Sequence, residues 1–223
     1  MPDHQNKVKN STDCGMIAQQ CRELKKAKTR GELGEHISSL VLCHSPVDIL
    51  QMKQNFNHRI QDIDPGYRDR LCEKVTEHLV GTWQRIRRAH QQGTFGTLQD
   101  PITEQERKYW DMVADQCREC VGNESPALRF LKYLLSGYSM FVLHEPGHPA
   151  GTPFPGGDSV RLSEGIYYCP VREKADDVDA ALCPFCPALQ TPEVGYLKPP
   201  VDPSMHRKQD FIEHCHKYHN FNG

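Results

Sequence analysis

SPALRFLKYLLSGYSMFV, residues 125–142, reads as a helix that is apolar nearly all round. Ser125 followed by Pro126 is a start signal: the serine caps, and the proline takes the first helical position, where its missing N–H costs nothing. Beyond the pair, Leu128, Phe130, Leu131, Leu134, Leu135, Tyr138, Phe141 and Val142 leave almost no polar face. Such a helix is most simply the buried centre of a bundle.

The residues before it supply the rest of that bundle. Asp13 can cap a helix carrying Met16, Ile17, Cys21 and Leu24 on one face, and Thr29 with Glu32 resembles a capping box ahead of Leu33, Ile37, Leu40 and Val41. Ser45 and Pro46 open a third helix, with Ile49, Met52, Phe56, Ile60 and Ile63 inward. Asp64 and Pro65 open a fourth along Leu71, Val75, Leu79, Trp83 and Ile86, ending in the turn residues near Gly93 and Gly96. Thr103 with Glu106 starts a fifth, through Tyr109, Trp110, Val113, Cys117 and Val121. Residues 13–143 are therefore expected to form one helical domain.

Charge narrows the possible partners. Lys and Arg number 27 against 29 Asp and Glu, a formal net charge of −2, so no overall field draws the chain to nucleic acid or an anionic membrane. The longest apolar runs fall short of the roughly 18 residues of a membrane span, and MPDHQNKVKN has no signal-peptide core. A soluble, cytoplasmic protein is expected, with an unidentified protein as the partner class left open. In a reducing cytosol its ten cysteines read as metal ligands or buried small hydrophobes rather than disulfides. Cys21, Cys43 and Cys72 occupy apolar positions of helical patterns and are expected in the core, whereas Cys14 supports no reading.

At His144 the pattern changes. In PGHPAGTPFPGG, residues 146–157, eight of twelve residues are proline or glycine, a composition expected to exclude helix or ladder and to give an extended, turning loop. Val160–Leu162 and Ile166–Cys169 flank SEG and read as a hairpin whose second strand ends at Cys169. One helical turn is expected at 176–182, and a short polar helix in the tail, 194–223. Cys183 and Cys186 form a CPFC knuckle that aims two thiolates at one point, and Cys169 adds a third soft donor. A module of residues 144–193 has too few large apolar side chains to close a core alone. Structural zinc, with ~10–16 kcal/mol of apparent binding free energy in finger peptides, would close it. His148, in the rigid loop one hairpin away, is the expected fourth ligand of a Cys3His sphere.

Other candidates are weaker. Cys117 and Cys120 form a second CxxC inside a predicted helix, where residues three apart share a face without making a knuckle. His214, Cys215, His216 and His219 crowd the tail, but 27 residues separate Cys186 from His214, against the usual ~12 of a zinc finger. HEPGH, residues 144–148, matches the HExxH of zinc proteases by letter, yet Pro146 and Gly147 break the helical turn that motif needs. His144 and His148 should diverge, and Glu145 should be dispensable for metal binding. GTPFPGG lacks the Lys and Ser/Thr of a P-loop.

HPAGTPFPGG, YYCPVREK and ALCPFCPA together resemble an uncharacterised family of archaeal proteins best represented in methanogens. The likeness rests on about fifty residues, 148–190, and implies an archaeal, cytoplasmic origin. It singles out His148, Cys169, Cys183 and Cys186 as motif positions and carries no activity with it. An anaerobic habitat also keeps iron–sulfur chemistry open. The reading is thus a mainly α protein, a helical bundle with a small C-terminal α+β metal-binding module, whose zinc serves structure, recognition or scaffolding. The alternative is an iron–sulfur or zinc enzyme using the same cysteines for redox or Lewis-acid chemistry, with Arg172 and Lys174 as anion contacts.

Overall fold

The computed structural model describes residues 3–118, 125–154, 157–173 and 182–192, with side chains from residue 13. Among them the chain is mainly helical: α1 Asp3–Lys26, α2 Arg30–Val41, α3 Pro46–Arg59, α4 Pro65–Gln92, α5 Glu104–Gln116 and α6 Pro126–Gly137, the last continuing as a π turn over Tyr138–Val142. No helix among the described residues is long and apolar enough to cross a membrane.

Ser125 stands at the N-cap of α6 without a side-chain cap bond, but the other start signals act as side-chain chemistry dictates. Thr29 accepts the Glu32 N–H at 3.2 Å, and the Glu32 carboxylate takes the N–H of Lys28 at 2.7 Å. The Ser45 N–H donates to Asp48 at 2.7 Å, Asp64 accepts the Tyr67 N–H at 2.9 Å, and Thr103 with Glu106 forms a full capping box. Each satisfies donors that a helix N-terminus leaves unpaired. The α4 helix stops at Gly93, whose φ of 63° is the left-handed conformation that glycine takes without strain.

Three helix boundaries differ from the expectation; α3 ends at Arg59, with Ile60 as its C-cap and Ile63 beyond it. The α1 helix begins at Asp3, ten residues before Asp13. The α5 helix ends at Gln116, so Cys117 is its C-cap rather than an interior residue. Val121 and Cys120 lie outside the described residues.

The α6 helix packs against α1, α2 and α4, and every side chain from Arg129 to Gly137 is buried. The α1 and α5 helices pack together over a seam holding Cys21 and Cys117, joined at the surface by a Lys25–Asp111 ion pair of 2.5 Å. Cys43 is exposed, contrary to the core placement expected of it, because α2 ends at Val41 and leaves it in the following turn. Its thiol bonds the Ser39 carbonyl at 3.2 Å. Cys72 is half-buried and packs on the core edge.

Two glycines fix how α2 meets the 3-10 turn Thr94–Thr97. A Cβ on Gly31 would stand 2.1 Å from the Phe95 carbonyl oxygen, and one on Gly34 2.7 Å from the Phe95 ring. Gly31→Ala is therefore expected to displace this turn and to destabilise the protein by about 1–3 kcal/mol, the usual overpacking cost. A chemical-denaturation midpoint equal to wild type would contradict it.

The small sheet has the order β1-β2-β3, with β1 Arg161–Ser163, β2 Ile166–Cys169 and β3 Leu189–Gln190. The β1–β2 hairpin turns through Glu164 and Gly165, both at positive φ (50° and 79°), as a two-residue hairpin requires. Sequence reading misses β3. It pairs parallel to β2, Tyr168 with Leu189 and Cys169 with Gln190, immediately after the knuckle. The proline-glycine loop also differs from its expectation, because it does make a ladder. Gly151 N–H donates to Val160 O, Val160 N–H to Thr152 O and Phe154 N–H to Asp158 O, at 2.7–3.0 Å. The pairing survives because Pro149 and Pro153 fall where no donor is called for.

Candidate metal centre

His148, Cys169, Cys183 and Cys186 line one cavity between the helical core and the sheet, together with Arg172. Three segments deliver them. Cys169 closes β2, Cys183 begins the 3-10 turn Cys183–Phe185 with Cys186 just beyond it, and His148 comes from the proline-glycine loop. Cys169 and Cys183 are buried, and Cys186 lies where the main core and a smaller cluster around Phe154, Val160 and Val171 meet. The cavity volume is about 10 Å³, room for a single water-sized guest. Among the described residues, no three His, Cys, Asp or Glu side chains stand as a ready-made coordination sphere.

The knuckle is docked from both sides. Phe185 meets the Tyr109 ring edge-on at 5.3 Å, and the Gln105 amide donates to the Pro184 carbonyl. Past the knuckle, Gln190 accepts the Glu173 N–H at 2.9 Å and donates to the Pro170 carbonyl at 3.0 Å, which closes the chain around Cys169. Burial pushes the Cys186 thiol above its ordinary pKa, while the Ala188 and Gly147 N–H groups and the Arg172 charge pull the other way. Those three groups all favour a sulfur bearing negative charge.

The loop that carries His148 runs antiparallel along α4. Glu145 pairs bidentately with Arg85 at 2.6 and 2.8 Å, a side chain at Gly151 would touch Lys74, and the Tyr67 hydroxyl donates to the Pro153 carbonyl at 3.2 Å. Between these contacts His148 packs edge-on against Phe154 at 5.9 Å. His144 is left exposed at φ 55°, in the left-handed conformation that ends a helix. The two histidines of HEPGH thus diverge, and Glu145 is turned to Arg85. Glu145→Gln is expected to leave metal content unchanged and to lower stability by no more than ~1 kcal/mol, since the pair is partly exposed. Loss of metal in that variant, measured by elemental analysis, would refute this.

His78, which belongs to none of the sequence motifs, is also close to the site. It is 6% exposed, and burial, with the charges of His148 and Arg85 added, holds its pKa down to about 4 from 6.5. Folding keeps it neutral. Between pH 6.5 and 4 the unfolded chain takes up a proton that the folded one refuses, so stability is full above pH 6.5 and falls as pH drops through that window. At ~1.4 kcal/mol per pKa unit the loss is roughly 3 kcal/mol. Acid titration of the unfolding free energy of wild type against His78→Gln checks it, with a shallower slope expected for the variant. The signal in the sequence was the spacing His78, Thr82, Arg85, a second stripe beside the apolar one on α4.

The other thiols stand elsewhere. Cys14 faces the Arg118 carbonyl at 3.9 Å, Cys72 bonds the Asn57 side chain at 3.2 Å, and Cys117 lies in the helical core. Cys120, Lys174, residues 176–181 and the tail with His214, Cys215, His216 and His219 lie outside the described residues.

A family model described as "uncharacterized protein conserved in archaea (DUF2115)" matches residues 29–191. The chain belongs to this archaeal family. The match takes in α2 to α6, the sheet and all four donors. A UPF0305 protein of Methanopyrus kandleri is 32% identical over 129 residues, 58% of this chain and 87% of that one. A UPF0305 protein of Methanocaldococcus jannaschii is 25% identical over 157 residues, 70% and 92% of the two chains. A shorter match, to a UPF0305 protein of Methanothermobacter thermautotrophicus, reaches 51% over 55 residues, 25% of this chain and 36% of that one. No solved structure matches the chain.

Proposed function

We propose that this family member is a metal-binding protein in which Cys169, Cys183, Cys186 and His148 hold one zinc ion that ties the small sheet to the helical core. The observation that carries the reading is that these four donors, from three separate segments, line a single cavity with room for one atom-sized guest. Three thiolates and an imidazole are a usual closed zinc set. The donors fit the ion by chemistry, and all four line the same cavity. The N–H groups of Gly147 and Ala188 at Cys186 are the outer contacts that a metal-bound thiolate uses. Arg172 in the cavity wall balances the single net negative charge of a zinc with three thiolates.

A cavity this small favours a single ion over a multi-iron cluster, and four protein donors favour a structural over a catalytic role. The role that follows is to hold a surface in shape for recognition or scaffolding. Metal analysis and an absorption spectrum of anaerobically purified protein test the reading. About one zinc per chain and no visible absorption are expected. Iron with acid-labile sulfide would instead install the redox reading, and protein without metal would end both.

A further inference from the structure

We infer that the recess between the C-terminal half of α4, the Thr94–Thr97 turn and the π turn of α6 binds a small organic monoanion, an aromatic or short-chain carboxylate. Its volume is about 320 Å³, at the small end of the ~300–1,000 Å³ of ligand pockets. The floor is apolar: Phe95, Leu98, Val142 and Leu143, with the Phe95 and Tyr138 rings meeting edge-on at 6.3 Å. The rim is cationic. Arg85 and Arg88, one turn apart on α4, both line the recess, and among the described residues no Asp or Glu lines it.

Charge sets the valence of the guest. Glu145 approaches Arg85 from outside the recess at 2.6 Å, so two guanidiniums and one carboxylate leave a formal surplus of one positive charge. A planar carboxylate matches the fork of a guanidinium, and its hydrocarbon part would cover the aromatic floor. A bare inorganic anion would leave that floor in water. The backbone agrees, since π turns are found frequently at functional sites, and this one forms the wall through Tyr138 and Val142. None of the four proposed metal donors takes part, so this inference stands apart from the zinc reading.

The test titrates the full-length protein as purified with benzoate, hexanoate and inorganic phosphate, following methyl resonances of Val142 and Leu143 by NMR. Saturable shifts are expected with benzoate and hexanoate and none with phosphate. Arg88→Ala, at an exposed position, should weaken benzoate about tenfold, as loss of a charge-assisted contact does, with the denaturation midpoint unchanged. Absence of saturable binding by both carboxylates overturns the proposal. So does benzoate binding that ignores Arg88→Ala, or phosphate binding as tightly at the same residues.

Discussion

With zinc held as proposed, Cys186→Ser is expected to remove most of the bound metal and to open the sheet to solvent while leaving the helices folded. Losing a donor should cost more than the 10–100-fold in affinity that outer contacts are worth. Two measurements read the result: zinc affinity by chelator competition, and amide hydrogen exchange across Ile166–Cys169 and Leu189–Gln190. Protection there should fall while that of α6 stays. Because Cys186 packs against both hydrophobic clusters, a parallel Cys43→Ser control at an exposed thiol separates ligand loss from general thiol loss. Equal zinc affinity in Cys186→Ser and wild type would remove Cys186 from the site.

The second large effect belongs to Tyr109. Its ring is fully buried and meets Trp110, Phe141, Tyr133 and Phe185 edge-on, with centroids 4.9, 5.0, 6.3 and 5.3 Å away. Its hydroxyl donates to the Tyr133 carbonyl at 2.8 Å. Tyr109→Ala should cost ~3–5 kcal/mol, as aromatic truncations in cores do. It should also release Phe185 and thereby weaken zinc binding at a distance. Tyr109→Phe keeps the packing and should cost about 1 kcal/mol through the lost hydrogen bond. If both variants unfold at the same denaturant concentration, the packing argument fails.

What could be read from the sequence divides along a physical line. Thr29, Ser45, Asp64 and Thr103 announce their helices because a cap bonds to residues two or three away, and such chemistry is complete within a few letters. The apolar residues 128–142 gave the centre of the helical body for the same reason. Long-range pairings left no such trace. Leu189 and Gln190 make a strand only because β2 is there to receive them, and Glu145 finds Arg85 across sixty residues. His78 carries no signal of its burial because the loop with His148, whose charge acts on it, comes seventy residues later. At the candidate site, the knuckle, Cys169 and His148 were legible as donor types at suggestive spacings. So was Arg172 as a charge beside Cys169, whereas Gln190 as the clasp of the cavity and Phe185 as its anchor were not, since each depends on a surface formed by a distant part of the chain. Cys43 shows the reverse error: two residues past a helix end, the periodicity that suggested burial no longer applied.

The parallel pairing of β2 with β3 has a consequence for order in time. A hairpin can close as soon as its turn is made, but a parallel partner must wait for the whole intervening connection and then return to the same end of the sheet. During synthesis α1 to α6 leave the ribosome first and can settle around α6 before the knuckle is made. Cys183, Cys186 and β3 come afterwards, when His148 and Cys169 are already waiting on a finished helical surface. The ion would then be the last piece admitted, and a cell starved of it would accumulate not an unfolded chain but a helical body with one unsealed edge.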